Sequence, residues 1–205
     1  MNRIVLTGVI LAGGQNRRMG GRVKALLPFH GEPVIVRQIG RMKRICDQII
    51  VVTRDRDLFS QTVGDSARIV EDRIPGKGPL SGMHAAFSEL NSQDAWVVGC
   101  DMPFISDRAA LLMWEQKQET GCDVVVPKIG GRIQPLHGIY DVRCTHHVTG
   151  LLQSGQYRVK ELFNRVKWAA VEEGRFLQQK IDIRFVVNVN TPEEYEEALS
   201  LKVHS

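Results

Sequence analysis

The stretch Ile4-Val5-Leu6-Thr7-Gly8-Val9-Ile10-Leu11-Ala12-Gly13-Gly14-Gln15-Asn16-Arg17-Arg18-Met19-Gly20-Gly21-Arg22-Val23-Lys24 decides the fold class. A short apolar run breaks directly into glycines and cations. Residues 4–11 read as a buried strand, because the run is too short for a core helix and too short to span a bilayer. Further along, apolar runs alternate with segments of helical spacing. Helices are predicted over 32–45, 81–90 and 107–119, and strands over 49–53, 67–70, 95–99 and 123–127. This alternation predicts an α/β protein, a three-layer α/β/α sandwich with a mostly parallel, Rossmann-like sheet. Past Gly130 the rhythm changes: a strand is predicted over 134–140, helices over 141–152 and 158–166, and a strand over 184–189. A last helix is predicted over 191–201, with Thr191 as N-cap and Pro192 at its first position.

The chain has 205 residues, 43% hydrophobic and 24% charged, and a formal net charge of +4. One domain over residues 1–205 is the expectation, because no linker, repeat or low-complexity tract interrupts it. No block of like charge suggests a nucleic-acid tail, and no apolar run suggests a membrane span. Cys46, Cys100, Cys122 and Cys144 form no C-x-x-C pair, so they read as reduced thiols of a cytoplasmic protein.

In open parallel sheets ligands sit beyond the carboxyl ends of the strands. The residues that follow the first strand include four glycines and four cations between Gly13 and Lys24. Glycines let backbone amides face an anion at close range, and Arg18 and Lys24 add positive charge where a triphosphate would lie. A solvated loop is the alternative; the density of glycine and cation favours a phosphate site. The spacing is neither the dinucleotide fingerprint nor the Walker loop.

After the strand at 95–99 comes Cys100-Asp101-Met102-Pro103. Asp101 either supplies a carboxylate to magnesium, which takes one or two carboxylates plus phosphate oxygens and waters, or caps a turn. Asp72 precedes a second loop, Pro75-Gly76-Lys77-Gly78-Pro79-Leu80-Ser81-Gly82, which either covers a base or ribose or simply connects two elements. Asn188 and Asn190 share one side of an extended segment, where they either orient a metal or phosphate oxygens or serve as turn and cap residues; Arg158 either meets a second anion or is simply solvated. Cys144-Thr145-His146-His147 fits no zinc spacing and reads as a surface helix.

Leu11-Ala12-Gly13-Gly14, Arg18-Met19-Gly20-Gly21, Lys24, Glu71-Asp72, Gly78-Pro79-Leu80-Ser81-Gly82-Met83, Cys100-Asp101-Met102-Pro103 and Asn188-Val189-Asn190-Thr191-Pro192 occur in order along nearly the whole chain. In this the sequence resembles the molybdenum cofactor guanylyltransferases. The resemblance implies nucleotide contacts at Leu11, Ala12, Gly13, Gly14, Lys24, Asp72, Gly78, Gly82 and Asp101. It implies a catalytic set of Arg18, Lys24 and Asp101, with magnesium on Asp101. On the acceptor side it implies Arg158, Asn188 and Asn190. The substrates implied are GTP and molybdenum-molybdopterin, with transient contacts to cofactor-biosynthesis proteins or recipient molybdoenzymes. Val23, Asn16 and Thr53 depart from the family's usual Asp, Ser and Asn. Other readings are cytidylyl or sugar-phosphate nucleotidyl transfer on the same fold, or a non-catalytic cofactor carrier or nucleotide sensor.

Overall fold

A computed structural model describes residues 4–14, 23–72, 74 and 76–201. Its centre is one eight-stranded sheet. The strands are β1 (Leu6–Leu11), β4 (Gln48–Thr53), β5 (Arg68–Glu71), β6 (Asp94–Gly99), β7 (Val124–Ile129), β8 (Arg132–Ile133), β9 (Gly138–Asp141) and β10 (Trp168–Glu172). A small hairpin, β2 (Pro28–Phe29) with β3 (Glu32–Pro33), stands apart from it. The main order is β10-β7-β9-β6-β1-β4-β5, with β8 on β7. All neighbours pair parallel except β9, which is antiparallel to β6 and β7, and β8, which is antiparallel to β7.

Alternation along the strands feeds two cores. Ile10, Ile49, Val51, Trp96, Val98 and Val125 face one layer; Val9, Ile50, Val52, Val97, Val124 and Val126 face the other. The first layer is covered by α1 (Val34–Met42), α2 (Arg56–Val63), α4 (Asp107–Thr120) and α6 (Glu173–Gln178). The second is covered by α3 (Pro79–Phe87) and α5 (Thr145–Gln153). Period-two strands buried on both faces are what a parallel sheet between helices requires. The expected three-layer α/β/α architecture is the observed one.

Helix ends follow local chemistry. Ser106 Oγ accepts from Ala109 N–H at the start of α4, and Gly121, left-handed at φ 60°, ends it. Helix α7 (Pro192–Ser200) opens with Thr191 and Glu194 in a reciprocal capping box.

Several expectations need correction. Residues 184–189 form no strand. Asp182 caps Arg184 N–H, the chain turns as a 3-10 helix over Ile183–Val186, and Phe185 packs against His137 and Phe176. The sheet-edge place belongs to β10 instead, which the Lys167-Trp168-Ala169-Ala170 sequence signalled too weakly to predict. The strand expected over 134–140 is ladder only at Gly138–Asp141. The segment expected as a helix over 158–166 is a 3-10 helix, Val159–Asn164. Helix α2, capped by Asp55, and helix α6 were not anticipated.

Behind the sheet's amino-terminal ends lies a buried charge network. Lys117 Nζ on α4 sits 2.7 Å from Asp94 and 3.3 Å from Asp141. Trp114 Nε1 and Gln118 Nε2 also donate to Asp94. Asp94 and Asp141 are cross-strand partners, so the network fixes the antiparallel register of β9 on β6.

Candidate active site

The carboxyl ends of β1, β4, β5 and β6 open onto one cleft of about 490 Å³. Backbone bonds beyond the strands shape its floor. Ala12 N–H donates to Val52 O, Cys100 N–H to Leu11 O and Asp72 N–H to Thr53 O. Leu11, Gly13, Gly14, Lys24, Asp72, Gly78, Gly82 and Asp101 all line the cleft, so eight of the residues singled out from sequence meet there. Ala12 does not: it is 7% exposed and packs into the core beneath, leaving only its backbone near the site. Arg18 and Asn16 lie outside the described residues.

Two wall glycines stand close against neighbouring side chains. A Cβ on Gly82 would sit 3.0 Å from Leu11 Cδ2, and one on Gly99 would sit 2.5 Å from Asp101 Oδ1. The Asp101 carboxylate is thus folded back over the end of β6, and a side chain at residue 99 would displace it. No motif pointed to Gly99. Arg54, which follows β4, also lines the cleft and carried no signal in the sequence.

Lys24 Nζ lies 3.8 Å from Asp101 Oδ2 and donates to Asn190 Oδ1 at 2.8 Å. The turn before α7 is held against this pair: Val189 N–H donates to Asp101 O, and Glu194 Oε2 accepts from Asn190 N–H. Burial pushes the Asp101 carboxyl above the usual carboxylate range; Lys24 pulls it back, and Glu194 adds to the rise. Burial, reinforced by Asp101, pushes the neighbouring Cys100 thiol up to about 12, so that thiol stays protonated and is no nucleophile.

Asp72 is 8% exposed, and both of its oxygens are engaged: Oδ2 accepts from Ser81 Oγ at 2.9 Å and Oδ1 from Ile74 N–H at 3.1 Å. It ties the second loop to the start of α3. Gly78, at φ 69°, closes that loop against Tyr157 O, and Lys77 Nζ stands 4.4 Å over the Tyr157 ring. The departures are absorbed locally. Thr53 is buried and its Oγ1 accepts from Asp55 N–H, and Val23 packs against the core.

A second hollow of about 500 Å³ adjoins the cleft through Pro79 and Leu136, which line both. Arg158 and Asn188 share its wall with Lys160, Gln134 and Met102. Asn190, expected on the acceptor side with them, is held at Lys24 instead. The hollow's cations suit an anionic group, and its position brings that group beside the cleft.

Among the described residues no group of three or more His, Cys, Asp or Glu could enclose a metal. A single, largely shielded carboxylate beside a triphosphate-sized cleft nevertheless fits a hard divalent cation that keeps phosphate and water ligands.

A family model described as the MobA-like NTP transferase domain matches residues 8–170. The chain belongs to this family. A relative from Pelotomaculum thermopropionicum, named a probable molybdenum cofactor guanylyltransferase, is 38% identical over 94% of this chain and 91% of its own. One of the same name from Geobacillus is 32% identical over 95% and 98%. The crystal structure of molybdopterin-guanine dinucleotide biosynthesis protein A from Archaeoglobus fulgidus superposes with a TM-score of 0.81, covering 95% of this chain and 97% of that one. At 21% identity that likeness shows the shared fold. Among the described residues no helix is long and apolar enough to cross a membrane.

Proposed function

We propose that the chain, acting as one domain over residues 1–205, transfers GMP from GTP to the terminal phosphate of molybdenum-molybdopterin in the cytoplasm, with Mg2+. One observation carries this reading. Lys24 and Asp101, 3.8 Å apart, share a glycine-lined cleft that adjoins a hollow lined by Arg158. The names of the relatives supply the base and the acceptor.

A phosphate oxygen of the pterin attacks the α-phosphorus of GTP. A new phosphoanhydride bond forms, the bond to the β-phosphate breaks, and pyrophosphate leaves with the electron pair. The attacking phosphomonoester is already anionic near neutral pH, so no side chain needs to take a proton. The residues contribute position and charge. Gly13 and Gly14 let the triphosphate approach the backbone. Lys24 balances charge on the leaving pyrophosphate, and Arg18 is proposed to share that role. Arg158 and Asn188 hold the acceptor phosphate. Asp101 would hold the divalent cation, which offsets phosphate charge when bound.

The test is pyrophosphate release by the purified chain with Mg2+, each nucleoside triphosphate, and molybdopterin present or omitted. GTP with acceptor should be the productive pair. Release from CTP and not GTP would assign cytidylyl transfer, and nucleotide binding without any release would assign a carrier or sensor.

A further inference from the structure

Helix α1 buries five residues, and one of them is polar: Gln38, 0% exposed. Its Nε2 donates twice, to Gly99 O at 2.8 Å and to Met102 O at 2.9 Å. Its Oε1 is buried with no hydrogen-bond partner among the described residues. A leucine or methionine would fill the same space without burying an unpaired acceptor, so packing does not explain an amide here. The two donated bonds do.

Those two carbonyls bracket Cys100 and Asp101. One planar NH2 group bonded to both fixes their separation and direction, leaving the intervening turn little room to move. Besides these two bonds, the turn is held by backbone bonds, by a Gly99 N–H to Met102 Sδ contact at 3.3 Å and by the Lys24–Asp101 ion pair on its cleft side. The turn also sets where the Asp101 carboxylate lies, with Oδ1 2.5 Å from the place a Cβ on residue 99 would take.

We infer that Gln38 is a positioning residue for nucleotidyl transfer: from behind the sheet it sets the Gly99–Met102 turn so that the Asp101 carboxylate meets the divalent cation. It touches neither nucleotide nor acceptor. This rests on the metal role proposed for Asp101. Groups that orient a metal ligand typically change metal affinity by about 10–100-fold when removed.

The experiment measures Mn2+ binding to the full chain with GTP, from the electron paramagnetic resonance signal of free Mn2+. Mg2+ half-saturation of pyrophosphate release is measured alongside. Gln38→Met should weaken Mn2+ binding about tenfold and raise the Mg2+ half-saturation to match. At saturating metal its kcat should recover, with the KM for GTP within about twofold of wild type. A merely structural role would lower the melting temperature and the folded fraction while leaving metal affinity unchanged, and that result overturns the inference. If Gln38→Met does not fold, Gln38→Leu removes the same two donated bonds with a different apolar shape and should shift Mn2+ binding in the same direction; unchanged affinity there overturns it equally. Mn2+ binding that survives Asp101→Asn at full strength would instead overturn the metal role of Asp101 itself.

Discussion

At the residue scale the site is a compromise between burial and charge. Asp101 is held partly out of water, and its carboxyl titrates above the usual range chiefly because of that burial. A carboxylate with a raised folded-state pKa destabilises the fold once pH exceeds its unfolded value of about 3.9. Asp101→Asn should therefore melt at a higher temperature than wild type at pH 7, with the difference shrinking as pH falls toward 4. The same variant should lose about 10²–10³-fold in kcat, the scale of removing one preorganised charge-stabilising group. Calorimetry and the pyrophosphate assay check the two halves; a variant both less stable and fully active contradicts both. Gly99→Ala should act on the same carboxylate by sterics, lowering activity by pushing Oδ1 off the end of β6. Lys24 and Asp101 were legible because each ends a recognisable strand-and-loop signal. Gln38 and Gly99 were not: one is polar in an apolar helical stripe, the other an ordinary strand glycine, and their meaning lies in contacts 61 and 2 residues distant.

At the element scale the strands and capped helices could be read and the weakly patterned ones could not. Residues 49–53 and 95–99 are continuous apolar runs, and α4 and α7 carry side-chain caps. The run at 184–189 has strand-like residues but no strand beside it, so Asp182 and the Phe185 pocket won. The lysine of α4 was unreadable as a core residue until Asp94 and Asp141 were brought together from strands 47 positions apart. Lys117→Met removes the lysine that both buried carboxylates share. It should destabilise the chain by about 3–5 kcal/mol, measured by urea unfolding. A change under about 1 kcal/mol, the scale of an exposed pair, would show the network to be solvated.

At the scale of the whole molecule, the sheet separates stability from chemistry. The ion network sits at the amino-terminal ends of the parallel strands, and the cleft and hollow sit at their carboxyl ends. A ligand end at the carboxyl termini is predictable from β-α-β alternation alone, whereas the ion network and the antiparallel insertion of β9 are not. Acid acts on the buried groups. His137 is wholly buried, its Nε2 accepts from Ser106 N–H, and burial pushes its pKa down to about 3. Burial would raise Asp141, but Arg143 and Lys117 override it and hold the carboxyl down at about 2. In both cases the unfolded chain binds protons more readily. Stability should fall from His137 as pH drops below about 6.5 and from Asp141 below about 3.9, continuing toward the folded values. Urea midpoints between pH 7 and 4 should fall for wild type. They should fall less for His137→Asn, which tolerates the φ of 66° at that position and does not titrate.

The cleft proposed for the nucleotide is tested most directly by a crystal structure of the chain with Mg2+ and a non-hydrolysable GTP analogue. The triphosphate is expected against Gly13, Gly14 and Lys24, with a cation on Asp101 and the acceptor hollow beside Arg158 left open. A nucleotide bound elsewhere, with the space between Lys24 and Asp101 empty, would contradict it.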